Sequence, residues 1–183
     1  MALDAGFEPG VPIRGFLEVR SMTDGLCPAD LWGRRLVTAL EQVRRDYHPL
    51  VLSAAPRSAA HSRALREVAE ALGTRVVNVN LELGDLLVTM PSTERTVRLA
   101  EALHDLLAAG DGEARVLDAT EILFEATLGQ DPLRLLQSLS RFRPLVAAWP
   151  GAVQQGSLVH GWPGHPEFRC YERPQVVLVE APQ

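Results

Sequence analysis

The stretch "LVLSAAPRSAAHS", Leu50 to Ser62, decides how the rest of the chain is read. Leu50-Val51-Leu52-Ser53 is an apolar run of strand length, bounded upstream by Pro49. A helix is expected from Ser62 to Leu72, because Leu65, Val68, Ala69 and Leu72 recur at helical spacing and Gly73 supplies a stop. Small residues fill the turn between them. A strand, a tight turn and a helix make the opening unit of a parallel α/β sheet.

The flanking sequence continues that alternation. Upstream, "PADLWGRRLVTALEQVRRDYH" starts at Pro28 and places Leu31, Leu36, Leu40 and Val43 near one helical face. Downstream, strands are expected at Thr74–Asn80, Ala114–Ala119, Pro144–Trp149 and Gln175–Glu180. Helices are expected at Leu81–Met90, from Ser92 to Gly110, and after the Asp131 cap with Pro132 in the first turn. The tail reads as a hairpin-like "GSLVHGW" followed by a turn, "PGHPEFRCYERP". The sum is an α/β three-layer sandwich around a mostly parallel five-stranded sheet. Residues 1–27 form a Gly/Pro-rich extension with one strand-like patch, Gly15–Val19, and residues 28–183 form a single domain.

Composition narrows the function classes. The chain has 183 residues, 46% of them hydrophobic, with a net charge of −5. An acidic chain is poorly suited to be a stand-alone DNA-binding module, since phosphate neutralisation needs clustered cations. Its basic residues are all arginine; there is no lysine. Cys27 and Cys170 are far apart, so no zinc-ligand spacing exists. Neither a signal peptide nor a membrane span is expected, which places the protein in the cytoplasm.

The turn itself invites comparison with G-x-x-x-x-G-K-[ST], the phosphate-binding pattern found between a strand and a helix. Ala55 and Ala60 fall at the glycine positions, His61 at the lysine and Ser62 at the hydroxyl position. Two readings stand: an ordinary strand-to-helix turn, or an altered phosphate loop. The second gains from location, because ligands of open parallel sheets bind beyond the carboxyl ends of the strands. On that reading Ala55, Ser58, Ala60, His61 and Ser62 face the nucleotide.

A second feature agrees with it. In "RVLDATEILF", Asp118 ends an apolar strand and Glu121 follows three residues later. Nucleotide hydrolases of this type hold Mg²⁺ with an acidic strand end and the loop hydroxyl. Asp118 and Ser62 are the candidate pair, and Glu121 is the candidate catalytic carboxylate. The competing role for Asp118 is to cap the turn after its strand. One strand, Arg75–Asn80, lies between the loop strand and the Asp118 strand along the chain, and this connectivity resembles the ASCE/AAA-type branch of P-loop NTPases, in which an extra strand separates the two motif strands. On that resemblance Ala148-Trp149 would be a sensor position, without the usual polar residue.

Four stretches resemble one family more closely: "VVNVNLELGDLL", "VLDATEILF", "DPLRLLQSLSRFRPLVAAWPG" and "GHPEFRCY". They are similar to BrxF, the small P-loop protein of type 3 BREX phage-defence systems. The resemblance spans residues 35–181 and is carried by the "LDxxEILF" and "AxWPG" patterns. It implies an accessory subunit in a bacterial antiphage complex, partnered by a large ATPase or a methyltransferase, with DNA met only inside the complex. Ala55, Ala60 and His61 depart from the family's nucleotide residues.

The departures have a cost. The loop lysine gives charge-assisted bonds worth about 1.5–3 kcal/mol each, and a mostly neutral histidine cannot match its reach. An alanine forced to positive φ would lose a further 1–2 kcal/mol or so. A degenerate pseudo-ATPase acting through protein partners is therefore the leading expectation, with ATP and Mg²⁺ bound weakly or not at all. Two alternatives remain. One is a weak ATP-binding switch or slow ATPase with His61 in place of lysine. The other is a nucleic-acid-binding module drawing on "RSAAHSRALR" and "RFRP". Candidate partner surfaces are the N-terminal extension and Trp162–Tyr171. A homo-oligomer with Arg141 or Arg143 lent to a neighbour is a fold-level analogy.

Overall fold

The computed structural model describes residues 28–182. The N-terminal extension, its strand-like patch and Cys27 lie outside the described residues. The elements in chain order are α1 (Pro28–Val43), β1 (Leu50–Ala54), α2 (Ala59–Ala71), β2 (Val76–Asn78), α3 (Val79–Thr89) and α4 (Ser92–Ala108). After them come β3 (Arg115–Asp118), two 3-10 turns (Glu121–Phe124 and Ala126–Leu128), α5 (Pro132–Ser140) and β4 (Leu145–Trp149). The chain closes with β5 (Ala152–Gln154), β6 (Ser157–His160), β7 (Arg169–Glu172) and β8 (Val177–Glu180).

The central sheet has five strands in the order β2-β3-β4-β1-β8, and every neighbouring pair is parallel. Strand alternation divides its side chains between two cores. Val51, Val116, Val146 and Val179 face Leu36 and Leu40 of α1 and Leu65 and Val68 of α2. Leu50, Leu52, Leu117, Leu145 and Trp149 face α3, α4 and α5 through Leu83, Leu99, Leu103 and Leu136. Both faces are thus covered, which is why the strands read as continuous apolar runs. Each fully buried leucine contributes about 1.5–3 kcal/mol before the entropy of ordering is charged against it.

Local chemistry moves two helix starts away from the sequence expectation. Ser58 caps α2, its side chain accepting from the His61 N–H, so the helix begins at Ala59 rather than Ser62. Asn78 caps α3 in the same way through the Leu81 N–H, and this shortens the expected strand Thr74–Asn80 to three residues. The Asp131 cap and Pro132 in the first turn of α5 are as expected.

The tail differs most. The expected hairpin and turn form a three-stranded antiparallel sheet, β5-β6-β7. It is tied to the central sheet by the Trp149 Nε1–H, which donates to the Val159 carbonyl. A side chain at Gly151 would collide with that carbonyl, so the turn after β4 requires glycine. Of the expected contact segment, Tyr171 turns inward toward Trp149 and donates to Asp131, while Trp162 is 65% exposed.

Candidate functional site

At the carboxyl ends of β1, β3 and β4 lies a crevice lined by Ala55, Arg57, His61, Asp118, Thr120 and Glu121, with Ala148 and Pro150 behind them. Four sequence-predicted site residues therefore meet: Ala55, His61, Asp118 and Glu121. Ser58, Ala60 and Ser62 are not part of the wall. Ser58 is spent on capping α2, and the Ser62 N–H closes the first helical turn onto the Ser58 carbonyl.

His61 is the decisive side chain. It is 3% exposed and stacks on Trp32 of α1, with ring centroids 4.7 Å apart and planes inclined by 17°. Its Nε2 lies 3.0 Å from the Ser53 hydroxyl, which is itself fully buried. The cause is visible in strand parity. Ser53 falls on the same face of β1 as Val51, so its hydroxyl points into the apolar layer beneath α1 and α2. A buried hydroxyl without a partner costs about 1–3 kcal/mol, and His61 in the first turn of α2 supplies the partner. Burial lowers the His61 pKa, with Asp118 and Glu121 pulling weakly the other way, so the ring is neutral at pH 7.

This corrects the expectation that His61 stands in for a phosphate-binding lysine. Its ring is committed to the core and only borders the crevice. The expected backbone strain is also missing: neither Ala55 nor Ala60 has positive φ. The loop has settled into a conformation that L-residues adopt freely. With α2 starting at Ala59, residues 55–58 remain as loop and Ala60, His61 and Ser62 lie in the first turn of the helix.

The strain sits on the acidic side instead. Ala119, just after β3, has φ +51, a region costing roughly 1–2 kcal/mol for an L-residue. Its surroundings hold it there. The Asn80 N–H donates to the Ala119 carbonyl at 2.8 Å, and the Ala119 N–H donates to Asp118 Oδ1 at 2.7 Å. Asn80 Oδ1 accepts from the Ile122 N–H, while its Nδ2–H donates to Glu121 Oε2 at 2.8 Å. Thr120 donates to the Ala148 carbonyl at 2.7 Å. Asp118 thus takes the turn-capping role, and Glu121 is held by Asn80.

Sequence reasoning passed over Asn80, Thr120, Ser53 and Trp32. A signal for Ser53 existed: a lone hydroxyl at a core-facing position of an otherwise apolar strand needs a partner. The donor set for a Mg²⁺-nucleotide does not fit this arrangement. Ser62 lies off the wall, one carboxylate oxygen each of Asp118 and Glu121 is engaged by the turn, and the crevice has a cavity volume of only about 10 Å³, against roughly 300–1,000 Å³ for small-molecule sites.

Arg141 and Arg143 lie before β4, at the opposite end of the sheet, so neither reaches this crevice in its own chain. Among the described residues no helix is long and apolar enough to cross a membrane. Comparison with protein-family models, curated proteins and solved structures finds no match.

Proposed function

We propose that the protein is a P-loop-type accessory subunit whose nucleotide site has become structural and which acts by binding protein partners. The sheet order supports the fold half of this reading. β4 lies between the loop strand β1 and the acidic strand β3, as in the branch with an extra strand between its motif strands. The single observation that carries the functional half is the inward His61, stacked on Trp32 and bonded to Ser53, at the position where a lysine would meet phosphate.

The resemblance to BrxF supplies the setting, a bacterial BREX antiphage complex containing a large ATPase and a methyltransferase. The "LDATEILF" and "AAWPG" stretches that carry this resemblance converge on one place, since Asp118, Thr120, Glu121, Ala148 and Pro150 all line the crevice. In this reading those residues maintain the carboxyl end of the sheet as a rigid surface.

The test is calorimetric titration of the full chain with a slowly hydrolysed ATP analogue and Mg²⁺, beside gel filtration with the large ATPase and the methyltransferase of the same defence system. No heat up to millimolar analogue and a co-eluting complex are expected. Micromolar nucleotide binding would revive the switch reading with His61 as a working substitute. Failure to co-elute with either subunit would remove the partner reading.

A further inference from the structure

The opposite end of the central sheet holds a cluster the crevice does not use. β1 and β4 are parallel neighbours with Leu50 beside Leu145, so the segments entering them run side by side. The Leu145 N–H donates to the Pro49 carbonyl and confirms the pairing just outside the strands. This register brings Tyr47 and His48 next to Arg141, Phe142 and Arg143.

The side chains form two small groups that adjoin along the chain at Arg141-Phe142. The Arg141 guanidinium lies 4.4 Å over the Tyr47 ring, and His48 meets that ring edge-on at 4.6 Å. His48 is pinned in turn, its Nδ1–H donating to the Gln137 carbonyl at 2.8 Å. Phe142 meets His104 of α4 edge-on at 4.6 Å, and Arg143 walls a recess beside them. Yet Tyr47 is 68% and Phe142 66% exposed. Two aromatic rings are therefore fixed in orientation by neighbours and left open to solvent, with guanidinium groups alongside.

We propose that these two groups form a stacking site for single-stranded nucleic acid. Every base has a face that stacks on an aromatic ring, and arginine adds cation–π and phosphate contacts. The net charge of −5 argues against binding driven by phosphate neutralisation, and Asp46 and Asp105 adjoin Tyr47 and His104 along the chain. Stacking does not need a net positive charge. The binding is accordingly modest, carried by Tyr47 and Phe142, and only weakly dependent on salt. This inference does not rest on the state of the nucleotide crevice.

The test is fluorescence anisotropy with labelled oligothymidylate and oligouridylate of about 20 nucleotides, using the full chain. Each of Tyr47→Ala and Phe142→Ala is expected to weaken binding by roughly tenfold, while the Tyr47→Trp/Phe142→Trp variant retains it. With Arg141 as the cation free to face phosphate, since Arg143 donates to the Gly110 and Gly112 carbonyls, affinity should fall by less than about one decade per decade of salt. Because both rings are largely exposed, thermal melting of the alanine variants should match the parent chain. The proposal is overturned by the absence of saturable binding at low salt, by full binding in the double alanine variant, or by equal competition from a duplex of the same length.

Discussion

The pairing of Ser53 with His61 is open to a quantitative test by a double-mutant cycle. His61→Phe keeps a ring against Trp32 but leaves the Ser53 hydroxyl without its partner, and Ser53→Ala does the converse to Nε2. Ser53 is fully buried and His61 is 3% exposed, so neither orphan gains water. Each single change should cost about 1–3 kcal/mol, the penalty of a buried polar group left unsatisfied. The double variant removes both polar groups and should cost less than the sum, with a coupling of about 1–2 kcal/mol.

Urea denaturation followed by circular dichroism measures all four corners, and each kcal/mol should move Tm by about 2–4 °C in a chain of this size. The same cycle has a pH arm. Burial holds the folded-state pKa of His61 below its unfolded value. The unfolded chain therefore takes up the proton first, and stability is constant above about pH 6.5 and falls as pH drops toward the lower folded value. His61→Phe should flatten that fall. Additive single effects within about 0.3 kcal/mol, with an unchanged acid slope, would refute the inward placement of His61 and reopen its role as a phosphate ligand.

Other outcomes follow from single sites. Arg115 is 1% exposed and its guanidinium donates to the carbonyls of Leu107, Gly110, Asp111 and Gly112 at the end of α4. Arg115→Lys, with fewer donors and no planar fork, should destabilise by about 2–4 kcal/mol in urea titration; a loss below about 1 kcal/mol would show that this network adds little. Ala119→Gly relieves a left-handed residue but loosens the unfolded chain, so it should be neutral or stabilising by up to about 1 kcal/mol. A clear loss of stability on that change would contradict the turn geometry.

Much of the architecture is written in local pattern. The apolar runs of β1, β3 and β4 and the helical spacing of α2, α4 and α5 announce an α/β sheet covered on both faces, because period and apolarity are properties of neighbouring residues. The Asp131-Pro132 start of α5 is legible for the same reason. Position along the sheet is legible too, since Ala55 and Asp118 each end an apolar run, and the structure joins them in one crevice.

Orientation required the tertiary structure. Whether His61 faces phosphate or core depends on Ser53, eight residues earlier, and on Trp32, which arrives from another helix. The motif comparison saw a histidine at a lysine position and could not see the buried hydroxyl it satisfies. The start of α2 was likewise decided by one capping bond from Ser58. At the other end of the sheet, Tyr47 and Arg141 are 94 residues apart in the numbering and meet only because β1 and β4 pair in register. Local sequence sets which segments form strands and helices; the pairing of distant strands, and the need to satisfy each buried polar group, set where the chemistry-bearing side chains point.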